Sequence, residues 1–450
     1  MIRLIFLLLG AHALKPVWRT LTVAGLVWMF LGAAILFDLS DGVLSVVVDT
    51  LALFLLIEGI VEIVAAISAG LRLRWIDALR GVAFLSAALL IFDLPWDNNI
   101  AAAIVFGTAF LVDGVFRMAS AFVVHGRRWR VGIIAGLIEV SLAVGILISW
   151  PVPHRFTVPF CIALLLLTSG YALVRMAMPL RRLPEGGSVT SLPLYAARNW
   201  QGGIPRPVIA PQEDRWAKED EILNVYVWTA LGSIRDPERR VVVDRYVAAV
   251  DKKGVISTGH AALEMPPDLY ISHYPFDDID HSPSDFRALL SAGPENNVRG
   301  RFNESLAKET ADWCKPDQAV KFSRFNPNAL RSFWAVYSQD DTYNLTARNC
   351  STTVIQALDA ALEGAAYTGR IWRDLFKIVS NPQFWLLRFI RGRAEAMTWT
   401  PGLVLDYARL LRSVVEHSDR RWRSKLSEAL HSGRTLAHVA ERERRKEMPA

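Results

Sequence analysis

Apolar residues crowd into roughly the first 180 positions of the chain, where they form six segments of membrane-spanning length. Each segment is long enough to cross a hydrocarbon layer about 30 Å thick as a helix, which satisfies its backbone hydrogen bonds internally. The pattern therefore predicts an all-α membrane domain with six spans. The predicted spans are 18–38, 43–68, 77–95, 99–124, 131–150 and 156–178.

The second half has a different pattern, which begins after a stretch rich in Pro, Gly and polar residues. Short runs of β-branched and aromatic residues predict strands, and later segments have helical spacing. These signals together predict an α+β soluble domain. The predicted layout is a membrane domain over 1–180, a linker over 181–220, a soluble domain over 221–365 and a helical basic tail over 366–450.

Basic residues alternate between the loops of the membrane half, and by the positive-inside rule both termini are cytoplasmic. This arrangement predicts an integral membrane protein whose soluble domain faces the cytosol. The same loops account for the net charge of +6. No aromatic-basic motif of a nucleic-acid reader is present, so no nucleic-acid partner is expected. The three cysteines form no disulfide framework, which fits a reducing compartment.

The membrane half also repeats itself. Gly59, Gly114 and Gly170 recur at spacings of 55 and 56 residues, as expected for three copies of a helical hairpin. This pattern resembles the HdeD-like family of small bacterial membrane proteins, which are linked to acid resistance. The resemblance implies a six-span domain in the bacterial inner membrane and leaves a homo-oligomer through this domain open. Residues 1–14 are interpreted as an interfacial or extended first helix that stays attached.

Four carboxylates lie within or near the predicted spans, namely Glu58, Glu62, Asp113 and Glu139. Intramembrane carboxylates often serve transport, so a transport function is one hypothesis. The alternative is that they lie near helix ends or pair with Arg117 and similar neighbours. A membrane anchor or sensor is favoured over a transporter.

The segment RNCSTTVIQALDAALEG, 348–364, carries the main chemical prediction. Its apolar residues have helical spacing, Asn349 suits an N-cap and Gly364 suits a stop. Cys350 would then lie in the first helical turn, where the partial positive charge of the helix terminus stabilises a thiolate. The first-turn amides can also bind an oxyanion. We therefore predict that Cys350 is a nucleophile with a lowered pKa.

A nucleophilic cysteine needs a base, and His260 and His273 are the candidates. A hairpin centred between Pro266 and Pro267 would place the two histidines directly opposite each other on neighbouring strands. They could then act as the base and its orienting partner. Glu264 shares a strand face with His260 and is the other candidate for the third role.

The order of these motifs resembles the permuted NlpC-type papain-like hydrolases, including the lecithin–retinol acyltransferase family. The matching residues are His260, the run His273-Tyr274-Pro275, and Asn349-Cys350 at a helix start. The resemblance covers about 130 residues. It implies a permuted papain-like fold and a Cys–His acyl-enzyme mechanism.

Other chemical groups have less specific patterns. Cys314 has no nearby histidine pattern and is interpreted as structural. His281 lies in an acidic loop, but its spacing fits no standard metal site. Aromatic and basic residues of the tail would suit either an interfacial membrane contact or packing against the soluble domain.

Together these patterns predict a membrane-anchored cysteine hydrolase or acyltransferase acting on an amide or ester bond. The expected substrates are a peptide, an N-acyl amide or a lipid ester, and the mechanism requires no cofactor. The alternative is a non-enzymatic membrane stress-response protein whose soluble half is a binding module.

Overall fold

The structure is a computed structural model. It describes residues 1–37, 45–68, 75–91, 99–126, 129–151, 153–192, 216–218, 220–230, 249–250, 256–277 and 290–416. Contacts divide these residues into two units. One contains Met1–Ala33, Gly107–Gly145 and Leu164–Glu416, and the other contains Ala34–Phe106 and Ile146–Ala163.

A helix occupies each of the six positions where a span was predicted. These helices are α2 (Trp18–Phe37), α3 (Ser45–Ser68), α4 (Trp75–Ile91), α5 (Asn99–Val124), α6 (Trp129–Leu147) and α7 (Thr157–Leu180), and α1 (Ile2–Leu14) precedes them. Within the described residues, four helical segments have the length and composition to cross a membrane: Ile2–Phe37, Asn99–Val124, Trp129–Leu147 and His154–Leu180. The chain is thus compatible with a membrane protein.

Glycines pack the apolar helices together in pairs. A Cβ atom built on Gly136 of α6 would lie only 2.7 Å from the carbonyl oxygen of Gly114 on α5. The same close approach joins α3 to α4 and α2 to α7, where any side chain would hold the backbones apart. The facing glycines are Gly59 with Gly81, Gly114 with Gly136, and Gly25 with Gly170. The helices that pack together therefore include the first and last of the six as well as sequential hairpins.

The carboxylates of α5 and α6 are paired within the protein. Arg117 Nη2 lies 2.9 Å from Asp113 Oδ2, and its Nε donates to Glu139 Oε2 at 3.0 Å. These ion pairs agree with the interpretation that Arg117 neutralises its acidic neighbours.

The α+β region, residues 216–416, contains three small antiparallel sheets, and it is called the soluble part below after the sequence prediction. The largest has the strand order β5-β4-β1-β8, formed by β1 (Leu223–Trp228), β4 (His260–Met265), β5 (Leu269–Ile271) and β8 (Gln318–Phe322). A second sheet has the order β6-β7-β9, formed by β6 (His273–Pro275), β7 (Val298–Phe302) and β9 (Thr342–Tyr343). The third pairs β2 (Ala249–Val250) with β3 (Ile256–Ser257). The α+β class is therefore confirmed.

The soluble part contains six α-helices within its described residues, including the predicted one that begins at Cys350. They are α8 (Leu306–Asp312), α9 (Pro327–Tyr337), α10 (Cys350–Leu362), α11 (Ile371–Ser380), α12 (Pro382–Ala396) and α13 (Pro401–Glu416). Helix α10 packs on β4, and α13 packs on β1 and β8. Residues of α13 and α10 share one buried core with the largest sheet. The region after 365 therefore contributes directly to the core of the soluble part.

The hairpin between β4 and β5 differs from the predicted register by one residue. Leu263 pairs with Ile271 and Met265 with Leu269, so the turn comprises Pro266, Pro267 and Asp268 rather than two prolines. A one-residue shift sends every side chain to the opposite face. The prediction that His260 and His273 face each other across this hairpin was wrong for this reason.

Helix α1 continues through a 3₁₀ turn into α2, as the interpretation of an extended first helix expected, and most of its residues are buried in the main core. Its backbone breaks at Gly10, where φ is 78°. The break frees the carbonyls of Leu7 and Leu8, and these accept hydrogen bonds from the amides of Gly364 and Ala366. Glu363 Oε1 accepts from the Ala11 amide at 2.9 Å. Helix α1 is therefore hydrogen-bonded to the end of α10 and the residues that follow it.

Candidate functional site

Cys350 begins α10, as predicted. Asn349 is the N-cap: its side chain accepts from the Thr352 amide at 2.8 Å, and Thr352 Oγ1 accepts from the Asn349 amide. This reciprocal pair is a capping box, which fixes the first turn of a helix. The Asn349 side-chain amide also donates to the Trp399 carbonyl at 3.1 Å, so the segment between α12 and α13 holds the cap in place.

His260 is the first residue of β4 and is almost completely buried. Gly259 precedes it with φ 71°, and a Cβ atom there would lie 2.4 Å from the Trp228 carbonyl oxygen. Only glycine tolerates both the positive φ and this contact. The imidazole stacks on Tyr274, with ring centroids 4.0 Å apart. Strand pairing and stacking therefore fix the position of the ring.

A buried carboxylate, Glu309 on α8, lies beside the Nε2 atom of the His260 imidazole. Its Oε2 accepts from Tyr270 at 2.6 Å and from the Ser272 hydroxyl at 2.9 Å. Its Oε1 lies 3.2 Å from His260 Nε2. Glu309 therefore places a negative charge beside the ring, where it stabilises an imidazolium.

These contacts decide which ring nitrogen of His260 carries the proton. The single hydroxyl proton of Ser272 is donated to Glu309, so Ser272 Oγ must accept from His260 Nε2, which is 2.9 Å away. The Nε2 atom is thus protonated. The Nδ1 lone pair is left as the basic site that can accept a proton.

Cys350 and His260 line one cavity of about 650 Å³. Glu309 and Tyr274 also line it, together with the aromatic side chains of Phe302, Trp313 and Tyr343 and the basic side chains of Arg301 and Lys308. The Ser351 hydroxyl lies 3.8 Å from the Cys350 sulfur. The thiol and the imidazole therefore both line this cavity.

The protonation states differ from the predicted ion pair. Burial raises the pKa of the Cys350 thiol, and the amides of Ala261 and Ser351 oppose this effect only in part. Burial also lowers the pKa of His260 to about 4, against the opposing charge of Glu309. Cys350 is 7% exposed and His260 is 2% exposed. The expected low-pKa thiolate is therefore contradicted, and the resting pair is a neutral thiol with a neutral imidazole.

His273 lies apart from this cavity lining. Its Nδ1 is 3.3 Å from the Tyr337 hydroxyl, and its Nε2 is 3.3 Å from the Asp341 carbonyl oxygen. Thr353, one turn into α10, lies 3.4 Å from the same Nδ1. These contacts connect β6 with α9 and the first turns of α10. In this position His273 supports the helix that carries Cys350.

The remaining sequence candidates have other surroundings. Glu264 accepts from the Tyr226 hydroxyl at 2.9 Å. The Cys314 carbonyl accepts from the Trp228 indole at 2.8 Å, and burial raises the pKa of the Cys314 thiol. His281 lies outside the described residues. Within the described part of the chain, no three His, Cys, Asp or Glu side chains are grouped closely enough to hold a metal ion.

Acid is expected to destabilise the soluble part through His260 and His273, which are both buried. Burial lowers the pKa of His260 to about 4 and that of His273 to about 3, whereas an unfolded histidine titrates near 6.5. The stability that the neutral imidazoles contribute is therefore fully present above pH 6.5. It is lost as the pH falls toward the pKa values of the folded state. Between pH 7.5 and pH 5, each of the two imidazoles lowers the free energy of unfolding by about 2 kcal/mol.

The measurement is the thermal unfolding midpoint of the full chain at both pH values. Replacing His273 with glutamine should reduce the shift between them. An unfolding midpoint equal at pH 7.5 and pH 5 would contradict the buried neutral state.

Sequence reasoning missed three members of the site: Glu309, Ser272 and Tyr274. Glu309 lies in a short helix whose sequence, LAKETAD, looks like an exposed polar segment. Its burial depends on packing against β4 and β5, which no local pattern reports. Tyr274 was part of the matched motif but received no role. In the observed register Leu263 pairs with Ile271, and three residues further along the same register His260 would be opposite Tyr274.

A thiol at a helix start, an imidazole and a buried carboxylate thus line one cavity. Comparison of the chain with family models, curated proteins and solved structures finds no significant match.

Proposed function

We propose that this chain is a membrane-anchored cysteine hydrolase or acyltransferase that acts through an acyl-enzyme on an amide or ester bond. Cys350 is the nucleophile, His260 the base and Glu309 the group that orients His260. The proposal depends above all on one observation. Cys350, at a helix start, lines the same cavity as His260, whose Nε2 is hydrogen-bonded to Ser272 and whose Nδ1 can accept a proton. The order of His260 and Cys350 in the permuted papain-like families gives it further support.

The mechanism follows from the neutral resting pair. As the Cys350 sulfur attacks the carbonyl carbon, His260 Nδ1 takes the thiol proton, and Glu309 stabilises the resulting imidazolium. The amides at the start of α10 bind the developing oxyanion. The imidazolium then gives its proton to the departing amine or alcohol, which leaves a thioester on Cys350. Water completes hydrolysis, whereas another nucleophile completes acyl transfer.

The membrane half is proposed as a six-span HdeD-like domain. Helices α3 and α4 would add two spans to the four segments that have the length and composition to cross a membrane. The basic loops favour cytoplasmic termini, so the cavity would open to the cytosol. A catalytic site held beside a bilayer favours a lipid or a membrane-associated protein as substrate. A peptide or N-acyl amide fits the same chemistry.

A binding module without catalysis is the second candidate. The burial of Cys350 and the raised pKa of its thiol favour it, because a reactive cysteine usually has a lowered pKa and an accessible sulfur. In this alternative the cavity binds a ligand reversibly and the stress-response role belongs to the membrane half. The two candidates differ in whether a covalent intermediate forms.

The test is pre-steady-state kinetics with p-nitrophenyl esters of short and long acyl chains, using the full chain in lipid nanodiscs. An acyl-enzyme predicts a burst of one p-nitrophenol per chain, followed by slower turnover. Release at the buffer rate, without a burst at any chain length, would favour the binding module.

A further inference from the structure

Helices α11 and α12 expose an apolar surface together with basic residues. We call this the aromatic–basic surface, and it comprises Trp372, Phe376, Trp385, Leu386, Phe389, Arg373, Lys377 and Arg388. Phe376 is 74% exposed, Phe389 53% and Trp372 52%. Trp372 and Phe376 are four residues apart on α11, as are Trp385 and Phe389 on α12, so each pair shares a helix face.

The opposite faces of both helices are anchored in the protein. Ile378 of α11 and Phe384 and Leu387 of α12 belong to the main core. Arg391 on α12 forms two hydrogen bonds with Asp359 of α10, at 2.9 and 2.6 Å. The aromatic–basic surface is therefore the outward face of helices whose orientation is fixed.

The exposed charged side chains on the aromatic–basic surface are all basic. The exposed charged side chains of α11 and α12 are Arg373, Lys377 and Arg388. Asp374 is buried and lies 3.6 Å from Arg373, and Glu395 pairs with Arg3 and Arg391. A surface of exposed Trp and Phe beside Arg and Lys has the composition of helices that lie in a membrane interface and contact anionic headgroups.

A contact with α5 places α12 beside a candidate span. Arg393 on α12 lies 2.7 Å from Asp113 Oδ1, and its guanidinium lies over the Phe116 ring at 4.4 Å. Asp113 is eleven residues before Val124, the last residue of α5, which corresponds to about 16 Å along the helix. The C-terminal end of α12 thus lies beside the middle of a helix that has the length and composition to cross a membrane.

We propose that the aromatic–basic surface lies in the headgroup–acyl boundary of the leaflet adjoining the soluble part and binds anionic phospholipid. This contact is additional to the spans. It fixes α12, and through Arg391 and Asp359 the helix that begins at Cys350, against the bilayer. The proposal depends on the assignment of the spans and is independent of any chemistry at Cys350.

The experiment uses the full chain in nanodiscs, with Cys161, Cys314 and Cys350 replaced by alanine and one NBD label at Phe376→Cys. Labels at Phe30→Cys, on an exposed face of α2, and at Gln339→Cys, on an exposed loop, are the matched controls. Nanodiscs contain phosphatidylcholine alone or with phosphatidylglycerol. The readout is quenching by lipids that carry a spin label on the acyl chain.

Quenching at Phe376→Cys and Phe30→Cys but not at Gln339→Cys is expected, with greater quenching at Phe376→Cys when phosphatidylglycerol is present. Quenching at Phe30→Cys alone would overturn the proposal and keep the spans. Quenching at neither position would overturn both. Protection of the Phe376→Cys label from iodide without lipid quenching would indicate a protein occupant, such as a second copy, and would also overturn it.

A second measurement needs no substitution, in case the cysteine-free chain fails to fold. Photoactivatable phosphatidylglycerol should crosslink to peptides of α11 and α12 in the unmodified protein. Crosslinks confined to the candidate spans would contradict the proposal.

Discussion

Replacing Cys350 with alanine is expected to lower the rate of ester turnover by roughly 10⁴-fold or more and to remove the p-nitrophenol burst. The loss is large because the thiol forms the covalent intermediate, and the members of a nucleophile–base pair act as a unit. The fold should persist, because the substitution removes one sulfur atom at the cavity wall while Asn349 and Thr352 still cap α10.

Cys314→Ala is the matched control, since Cys314 is the other cysteine in the soluble part. This variant should keep both burst and turnover. If Cys314→Ala loses the burst and Cys350→Ala keeps it, the assignment of the nucleophile is wrong.

Replacing Glu309 with glutamine is expected to lower kcat by roughly 10³-fold with little change in KM. The glutamine side-chain amide can donate to Ser272 Oγ, and Ser272 would then donate its own proton to His260 Nε2. That reversal moves the ring proton to Nδ1, the nitrogen that must accept the thiol proton. The variant would also remove the charge that stabilises the imidazolium.

Glu264→Gln separates this account from the alternative suggested by the sequence. Glu264 contacts Tyr226, and we expect its substitution to leave kcat close to that of the unmodified protein. Steady-state kinetics of both variants, with circular dichroism to confirm folding, decides between the carboxylates. Loss of activity in Glu264→Gln alone would make Glu264 the orienting group.

The helices of the membrane half were predictable because hydropathy over about 20 residues is a strong local signal. The packing between these helices was only partly predictable from the sequence. Gly59, Gly114 and Gly170 were recognised as a repeat, but their partners Gly81, Gly136 and Gly25 were not. Which helices face each other depends on tertiary packing, which a repeat period does not specify.

The start of α10 was predictable for a similar reason. An N-cap, an amphipathic run and a stop signal lie within 17 residues, and the structure confirms Cys350 as the first helical residue. The register of the β4–β5 hairpin was not predictable, since Pro266-Pro267 marks a turn without fixing its length. Adding Asp268 to the loop was enough to separate His273 from His260.

Long-range packing accounts for other features that the sequence did not predict. Residues 1–14 have the composition of a membrane segment, yet α1 lies in the soluble core because Glu363 and the chain after α10 satisfy its broken backbone. Burial likewise reversed the expected pKa of Cys350, since the loss of solvent outweighs the helix terminus and the neighbouring amides. Neither effect leaves a signal in local sequence.

The most direct test of the proposed function is to locate the acyl group after brief reaction with a p-nitrophenyl ester. The protein is quenched in acid and digested, and peptide masses are compared among the unmodified chain, His260→Ala and Cys314→Ala. The account predicts one acyl thioester on Cys350 in the unmodified chain and in Cys314→Ala, and almost none in His260→Ala. An acyl group on Cys314 alone, or none on any cysteine, would contradict it.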